Sequence, residues 1–327
     1  MKSTKQFLKL YEEAAEECFQ KWGYYYPPKT WYEFYAWNAK TFDKYLKEME
    51  DGVKKTKSYL LLDVANEFGF YIAFQKLDYE LLNNVLYQTS RQKLLNSGTT
   101  ASGTDHCNVL MDTLSAFACN DFEVIDCFFP KNLAHSKGTY YTEVSVNLLK
   151  VLYYKEFELK DEALKKADKF LSKKITYWEK YVVLYVKALI NQYPEEASNC
   201  LQELCVGYQK MQHSVMSTYN KLAKCFASEI HGLYRFARII NQDLFNNIKQ
   251  PKHLCFFEDF ELWQKENNYP KGTLFYKYPQ EMDYMNKMFE AGLPTVALHN
   301  PYPKGKDLYK DVEKFAIDLT ENVKKLL

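Results

Sequence analysis

Apolar residues recur along most of this chain at the spacing of one helix face. Phe7, Leu8, Tyr11, Ala14, Ala15, Cys18 and Phe19 form an i, i+3, i+4, i+7 stripe, which predicts an amphipathic helix over 5–20 ending at Trp22-Gly23. Pro27-Pro28 blocks helix. Thr30 then reads as an N-cap, with Glu33 at the capping-box position, for a helix from Trp31 to about Met49 that stops at Asp51-Gly52. Helices are expected over Thr56–Gly69 and Phe70–Leu95. The stretch NSGTTASGTDHC, Asn96 to Cys107, is small, polar and aperiodic and reads as a loop. Thr104 or Asp105 would cap the next helix, which runs to about Asn120.

A rhythm follows. Helix, turn and helix recur around Asn120-Asp121, around Glu158 to Asp161, and around Tyr193-Pro194. Ala116, Leu152 and Ala188 hold matching places before these turns, about 36 residues apart. Glu123, Glu162 and Glu196 open the second helices, where a negative charge complements the helix dipole. The expected fold is therefore all-α, an array of antiparallel helical hairpins of a degenerate tetratricopeptide-like kind. The W-x-x-L-G and terminal Pro features of that repeat are absent.

After Ile240 the prolines concentrate. Short helices are expected at Glu258–Glu266 and Pro279–Glu290, an irregular LPTVALHNPYPKG stretch after them, and a last amphipathic helix from Lys306 to Leu326. The organisation expected is a single helical domain over 1–327. It divides into aromatic-rich N-terminal helices at 1–55, the hairpin array at 56–250, and an irregular and helical C-terminal appendage at 251–327.

Composition supports helices over sandwiches or barrels, since Gly 11 and Pro 10 are few for 327 residues and tight turns must be few. The formal net charge of +1 lacks the basic excess of a nucleic-acid binder, so no nucleic-acid partner is expected. The N-terminus MKSTKQFLKLYEEAAEECF is charged, without the apolar core of a signal peptide, and no apolar run is long enough for a membrane span. No membrane partner and a cytoplasmic location follow as expectations. The eight cysteines form no C-x-x-C pair and read as buried free thiols. With no short-spaced ligand pairs visible, neither metal nor cofactor is expected.

Residues that could carry chemistry have simpler readings. Asp105-His106-Cys107 suggests a base and a nucleophile, but neighbours on a helix point about 100° apart, and Asp105 serves better as a cap. His231-Gly232 lacks a second histidine at i+4, where Arg235 stands. It reads as a close-packing glycine beside a hydrogen-bonded histidine. Glu258, Asp259 and Glu261 read as a solvated helix face. No enzymatic activity is expected; a helical enzyme using His106 and Cys107, or His231, is the third reading.

The densest feature is aromatic: Trp22, Tyr24, Tyr25, Tyr26, Trp31, Tyr32, Phe34, Tyr35 and Trp37, flanked only by Lys21, Lys29 and Lys40. Stacking on single-stranded nucleic acid would want more interleaved cations. Core packing and a protein interface remain. Partner contacts are expected at Tyr24, Tyr25, Tyr26 and Trp31, at Ser97, Thr99, Thr100 and Asp105 in the 96–105 loop, and at His299 and Tyr302 in the 299–305 loop.

The stretch from Tyr181 to Pro251 carries a family resemblance. It has the Ala188-Leu189 helix end, an acidic turn, a helix with Leu201 and Leu204, a hydrophilic linker from Gln209 to Ser217, and a helix ending HGLYRFARII before Pro251. With Gly232, Leu233, Ala237 and Arg238 in that last helix, it resembles the bacterial Imm49 immunity-protein family of polymorphic toxin systems. The resemblance implies an all-α cytoplasmic protein that neutralises a cognate toxin by stoichiometric binding, and it implies no catalytic residues. A helical-repeat adaptor or regulatory scaffold that binds a peptide or protein is the alternative.

Overall fold

The computed structural model describes residues 2–62, 66–100, 106–211, 220–302 and 308–327. The fold is all-α. In chain order the helices are α1 (Lys2–Trp22), α2 (Trp31–Tyr45), α3 (Val53–Tyr59), α4 (Asn66–Lys76), α5 (Tyr79–Thr99), α6 (Leu110–Phe117), α7 (Glu123–Phe128), α8 (Tyr141–Tyr154), α9 (Lys160–Leu171) and α10 (Tyr177–Asn191). They continue with α11 (Pro194–Lys210), α12 (Asn220–Ala223), α13 (Ser228–Ile240), α14 (Gln242–Asn247), α15 (Glu258–Glu266), α16 (Asp283–Glu290) and α17 (Val312–Lys324). Between α16 and α17, β1 (Leu298–His299) pairs antiparallel with β2 (Tyr309–Lys310), Leu298 opposite Lys310.

The chain forms two compact units, Met1–His106 with Lys271–Leu327, and Cys107–Pro270. This division does not follow the expected breaks near 55 and 250. The tail is no appendage, because α17 packs on α3 and α5 and shares their core. At that junction the buried Thr56 hydroxyl meets Tyr284 Oη at 2.8 Å and Thr320 Oγ1 at 2.7 Å. The bare Cα of Gly98 on α5 lies against the Phe315 ring.

Several local expectations hold. Thr30 caps α2, and its hydroxyl and the Glu33 carboxylate form the capping box. α15 spans the expected residues. Others are corrected. The helix expected over 56–69 is interrupted after Tyr59, because the Gln92 amide on α5 donates to the freed Leu60 and Leu62 carbonyls. The helix expected over 70–95 is two helices, broken where Leu77 turns left-handed and Asp78 caps α5 through Leu81 N–H at 2.8 Å. The loop expected from Asn96 is helical as far as Thr99. Its polar residues are absorbed by hydroxyl bonds back to helix carbonyls, as from Thr99 to Asn96 O. The proposed caps Thr104 and Asp105 lie outside the described residues, as does the expected start of the last helix at Lys306.

In the second unit two of the expected turns fall where the sequence places them, and the middle one comes earlier: α8 ends at Tyr154 with Lys155 as its cap, while the expected 158–161 stretch is a 3-10 turn running into the first residues of α9. Asn120, Lys155 and Gln192 each adopt left-handed backbone at these breaks, with φ of 59°, 56° and 57°. Asp121 N–H bonds Ala116 O at 3.1 Å and Tyr193 N–H bonds Ala188 O at 3.0 Å, the same closure at two of them. The hairpins α8–α9 and α10–α11 pack as pairs, and α10 also packs on α8. α6 departs from a simple array, since its main partner is α13 and not α7.

Candidate functional site

Three groups of side chains stand out. The first is the aromatic face of α1 and α2. α1 ends where Gly23 takes a φ of 77°, and the chain doubles back into α2. The connection is tied at several points. Tyr11 Oη donates to Pro28 O at 2.6 Å, Lys29 Nζ meets Glu16 Oε1 at 2.8 Å, and Lys29 N–H donates to Glu33 Oε2 at 2.7 Å. The Glu16 hydrogen bond also holds the Lys29 ammonium above its ordinary pKa. On this frame Tyr25 stacks on Phe19 at 4.5 Å, and Tyr24 and Tyr26 both meet Trp37 edge-on at 5.4 Å. Lys29 lies over Tyr25 and Lys40 over Trp37. Tyr32 is 81% exposed and Trp22 62%, with Phe19, Tyr24, Tyr26, Tyr35 and Tyr45 also exposed. Isolated exposed aromatics are ordinary, whereas a fixed cluster of them has the character of an interface.

Of the expected contact residues, Tyr24, Tyr25 and Tyr26 lie together on this face. Trp31 does not: it is half-buried and packs on Phe34, Phe68 and Tyr276. Tyr32, one residue on, is the exposed ring. Of the 96–105 group, the described residues up to Thr99 continue α5. Ser97 and Thr99 are in α5, Thr99 is buried, and the Ser97 carbonyl accepts from Lys310 Nζ at 2.7 Å. Thr100 is exposed but bonds back to Asn96 O at 2.8 Å, and Asp105 lies outside the described residues. His299 sits on β1, 3.8 Å from the Asp311 carboxylate, and the exposed Tyr302 meets Tyr309 edge-on.

The second group is a buried charge cluster, and it corrects the reading of α15. Glu261 was expected on a solvated face, but it is only 3% exposed. One carboxylate oxygen meets His231 Nδ1 at 2.6 Å, and the other accepts from the Arg235 guanidinium at 2.5 Å. His231 Nε2 accepts Phe257 N–H at 3.1 Å, so the ring proton is on Nδ1 and is donated to Glu261. Burial pushes the Glu261 carboxyl up, but the charge of Arg235 and the hydrogen bonds from His231 and Arg235 outweigh it and hold the carboxyl below its usual range. His231 and Arg235, one helical turn apart on α13, both face α15. With each ring nitrogen committed and no exposure, this group ties two helices together. His106 and Cys107 are buried as well.

The third group escaped the sequence reading. Cys205 on α11 meets His253 and Cys255 from the segment before α15, and their ligand atoms all lie within 4.8 Å of one another. His253 Nδ1 is 3.1 Å from Cys255 Sγ. Cys255 is the acidic thiol of the pair. Hydrogen bonds from Cys205 and His253 bring it down although burial opposes them, while the same bond raises Cys205. Burial, with Glu196 adding to it, pushes Cys200 up to about 12, and burial with Cys255 beside it pushes Cys225 up to about 11. The signal in the sequence was His253-x-Cys255; what it lacked was Cys205, fifty residues earlier.

No protein-family model, no curated protein and no solved structure matches the chain. Among the described residues no helix is long and apolar enough to cross a membrane.

Proposed function

We propose that the protein binds another folded protein stoichiometrically through the aromatic face of α1 and α2, and that it is an immunity protein whose partner is a bacterial toxin domain. The observation that carries the binding role is the run of exposed aromatics Trp22, Tyr24, Tyr26, Tyr32 and Tyr35 on and beside a capped, ion-paired turn, with Tyr24 and Tyr26 held edge-on against Trp37. Tyr and Trp give large contact area with few rotatable bonds, and a pre-ordered surface loses little entropy on docking. Lysines lie over rings of the same helices and turn, Lys21 over Trp22, Lys29 over Tyr25, Lys40 over Trp37 and Lys44 over Tyr45, and they favour a partner with an acidic or aromatic complement.

The toxin assignment rests on the resemblance over Tyr181–Pro251. The positions that carry it, Leu201, Leu204, Gly232, Leu233 and Ala237, are buried, so they speak for a shared scaffold and not for a shared contact surface. Co-expression with a toxin-domain gene encoded beside this one tests the proposal: growth is restored and the two proteins co-elute. Absence of both removes it.

A further inference from the structure

The segment 249–255 is laid along one stripe of α11. Lys249 N–H donates to Ser198 Oγ at 2.9 Å, and Lys252 N–H donates to Gln202 Oε1 at 2.9 Å. The next positions on that stripe are Cys205 and Gln209, at the i+3/i+4 spacing that keeps one helix face. Cys205 therefore meets the end of the segment, where His253 and Cys255 stand. A tight turn closed by Phe256 N–H to His253 O at 3.1 Å brings these two together, and Ala227 N–H fixes the Cys255 carbonyl at 2.9 Å. Gln209 closes the far side, donating to Lys224 O at 2.9 Å and reaching the Cys255 thiol.

We propose that Cys205 Sγ, Cys255 Sγ and His253 Nδ1 form a binding site for a thiophilic divalent cation of the zinc class. Zinc–thiolate bonds of about 2.3 Å and zinc–imidazole bonds of about 2.0 Å set tetrahedral ligand atoms roughly 3.6 Å apart. The 3.1 Å pair and the 4.8 Å limit for the whole set bracket that spacing. Charge fits as well. Two thiolates and a neutral imidazole around a dication sum to zero, so the filled site carries no net charge into a place where both cysteines are fully buried. Binding replaces two S–H bonds by two metal–sulfur bonds and releases two protons, with no change of oxidation state. Sulfur and imidazole donors select zinc over magnesium or calcium. With three protein ligands the fourth position falls to water. The half-buried His253 gives the cation its way in from solvent. The bound ion would clamp α11 to the segment that leads into α15.

Cobalt(II) added to the reduced, chelator-stripped full chain reads the site directly. One equivalent per chain, with visible tetrahedral bands and sulfur-to-cobalt charge transfer displaced by zinc, is the expected result. The charge transfer is lost in Cys205→Ser and in Cys255→Ser and retained in Cys18→Ser. Circular dichroism checks the fold of each. Because a serine at a buried site can disturb folding, His253→Gln at the half-exposed position gives the second reading, with cobalt affinity falling at least about tenfold, the scale set by loss of even an outer-shell partner. No charge-transfer band in the reduced wild-type chain, bands that survive in both serine variants, or unchanged affinity in His253→Gln each overturns the site.

Discussion

A Cβ built on Gly232 would stand 1.8 Å from the carbonyl oxygen of Leu114. The atom in the way is backbone, so no rotamer change relieves the clash; α13 would have to move off α6. Gly232→Ala is expected to cost about 3 kcal/mol, at the upper end for overpacking. Gly207→Ala on α11 is the control. Its Cβ meets only the Tyr177 ring at 3.1 Å and Trp178 backbone beyond 3.4 Å. A helix-propensity gain of about 1 kcal/mol offsets that contact, leaving stability within about 1 kcal/mol of wild type. Denaturant titration of both variants makes the comparison.

Glu261 should govern the acid limb of stability. Its carboxyl titrates lower in the folded chain than in the unfolded one, so the unfolded state binds its proton first as pH falls. The stabilisation is complete above the unfolded carboxylate range and disappears as pH drops through the folded value. Glu261→Gln should cost about 3–5 kcal/mol at neutral pH, the range for breaking one partner of a buried pair. It should also flatten the acid slope, as measured by urea midpoints from pH 3 to pH 7. A slope equal to that of wild type would remove Glu261 from this role.

Thr56 joins the first unit's N-terminal segment to its C-terminal one through Tyr284 and Thr320. Thr56→Val strips the Tyr284 hydroxyl of this partner and leaves Thr320 only its bond to Ala316 O, and should cost about 1–3 kcal/mol. Amide exchange should then accelerate together in α3, α16 and α17. Faster exchange confined to α3 would mean that the C-terminal helices do not depend on this junction.

Much of the fold was legible because its determinants are local. The capping box of Thr30 and Glu33, the turns at Asn120-Asp121 and Tyr193-Pro194, and the tight packing of Gly232 all write themselves into a few neighbouring residues. What was illegible depends on partners distant in the chain. Nothing near Leu60 announces that Gln92 will take its carbonyl, and nothing near Glu261 announces His231 and Arg235, thirty and twenty-six residues earlier. Polar residues at Asn96 to Thr100 read as a loop, but helix carbonyls and the Phe315 ring absorb them. The candidate sites divide the same way. The exposed tyrosines at 24–26 follow from a visible aromatic run, while Cys205 joins His253 and Cys255 only through the register of 249–255 on α11.

The aromatic face separates binding from folding. Trp22→Ala and Tyr32→Ala remove rings that are mostly solvent-facing, so stability should stay within about 0.5 kcal/mol of wild type. Trp31→Ala should cost about 3–5 kcal/mol instead, since its ring packs on Phe34, Phe68 and Tyr276. Thermal denaturation of the three variants distinguishes the two classes.

The most direct measurement is calorimetric titration of the purified full chain with its proposed partner, a purified toxin domain from a gene found next to its own. A one-to-one complex is expected, weakened by about 2 kcal/mol or more in Trp22→Ala and in Tyr32→Ala while both variants stay folded. No heat of binding, or variants that bind as tightly as wild type, would contradict it.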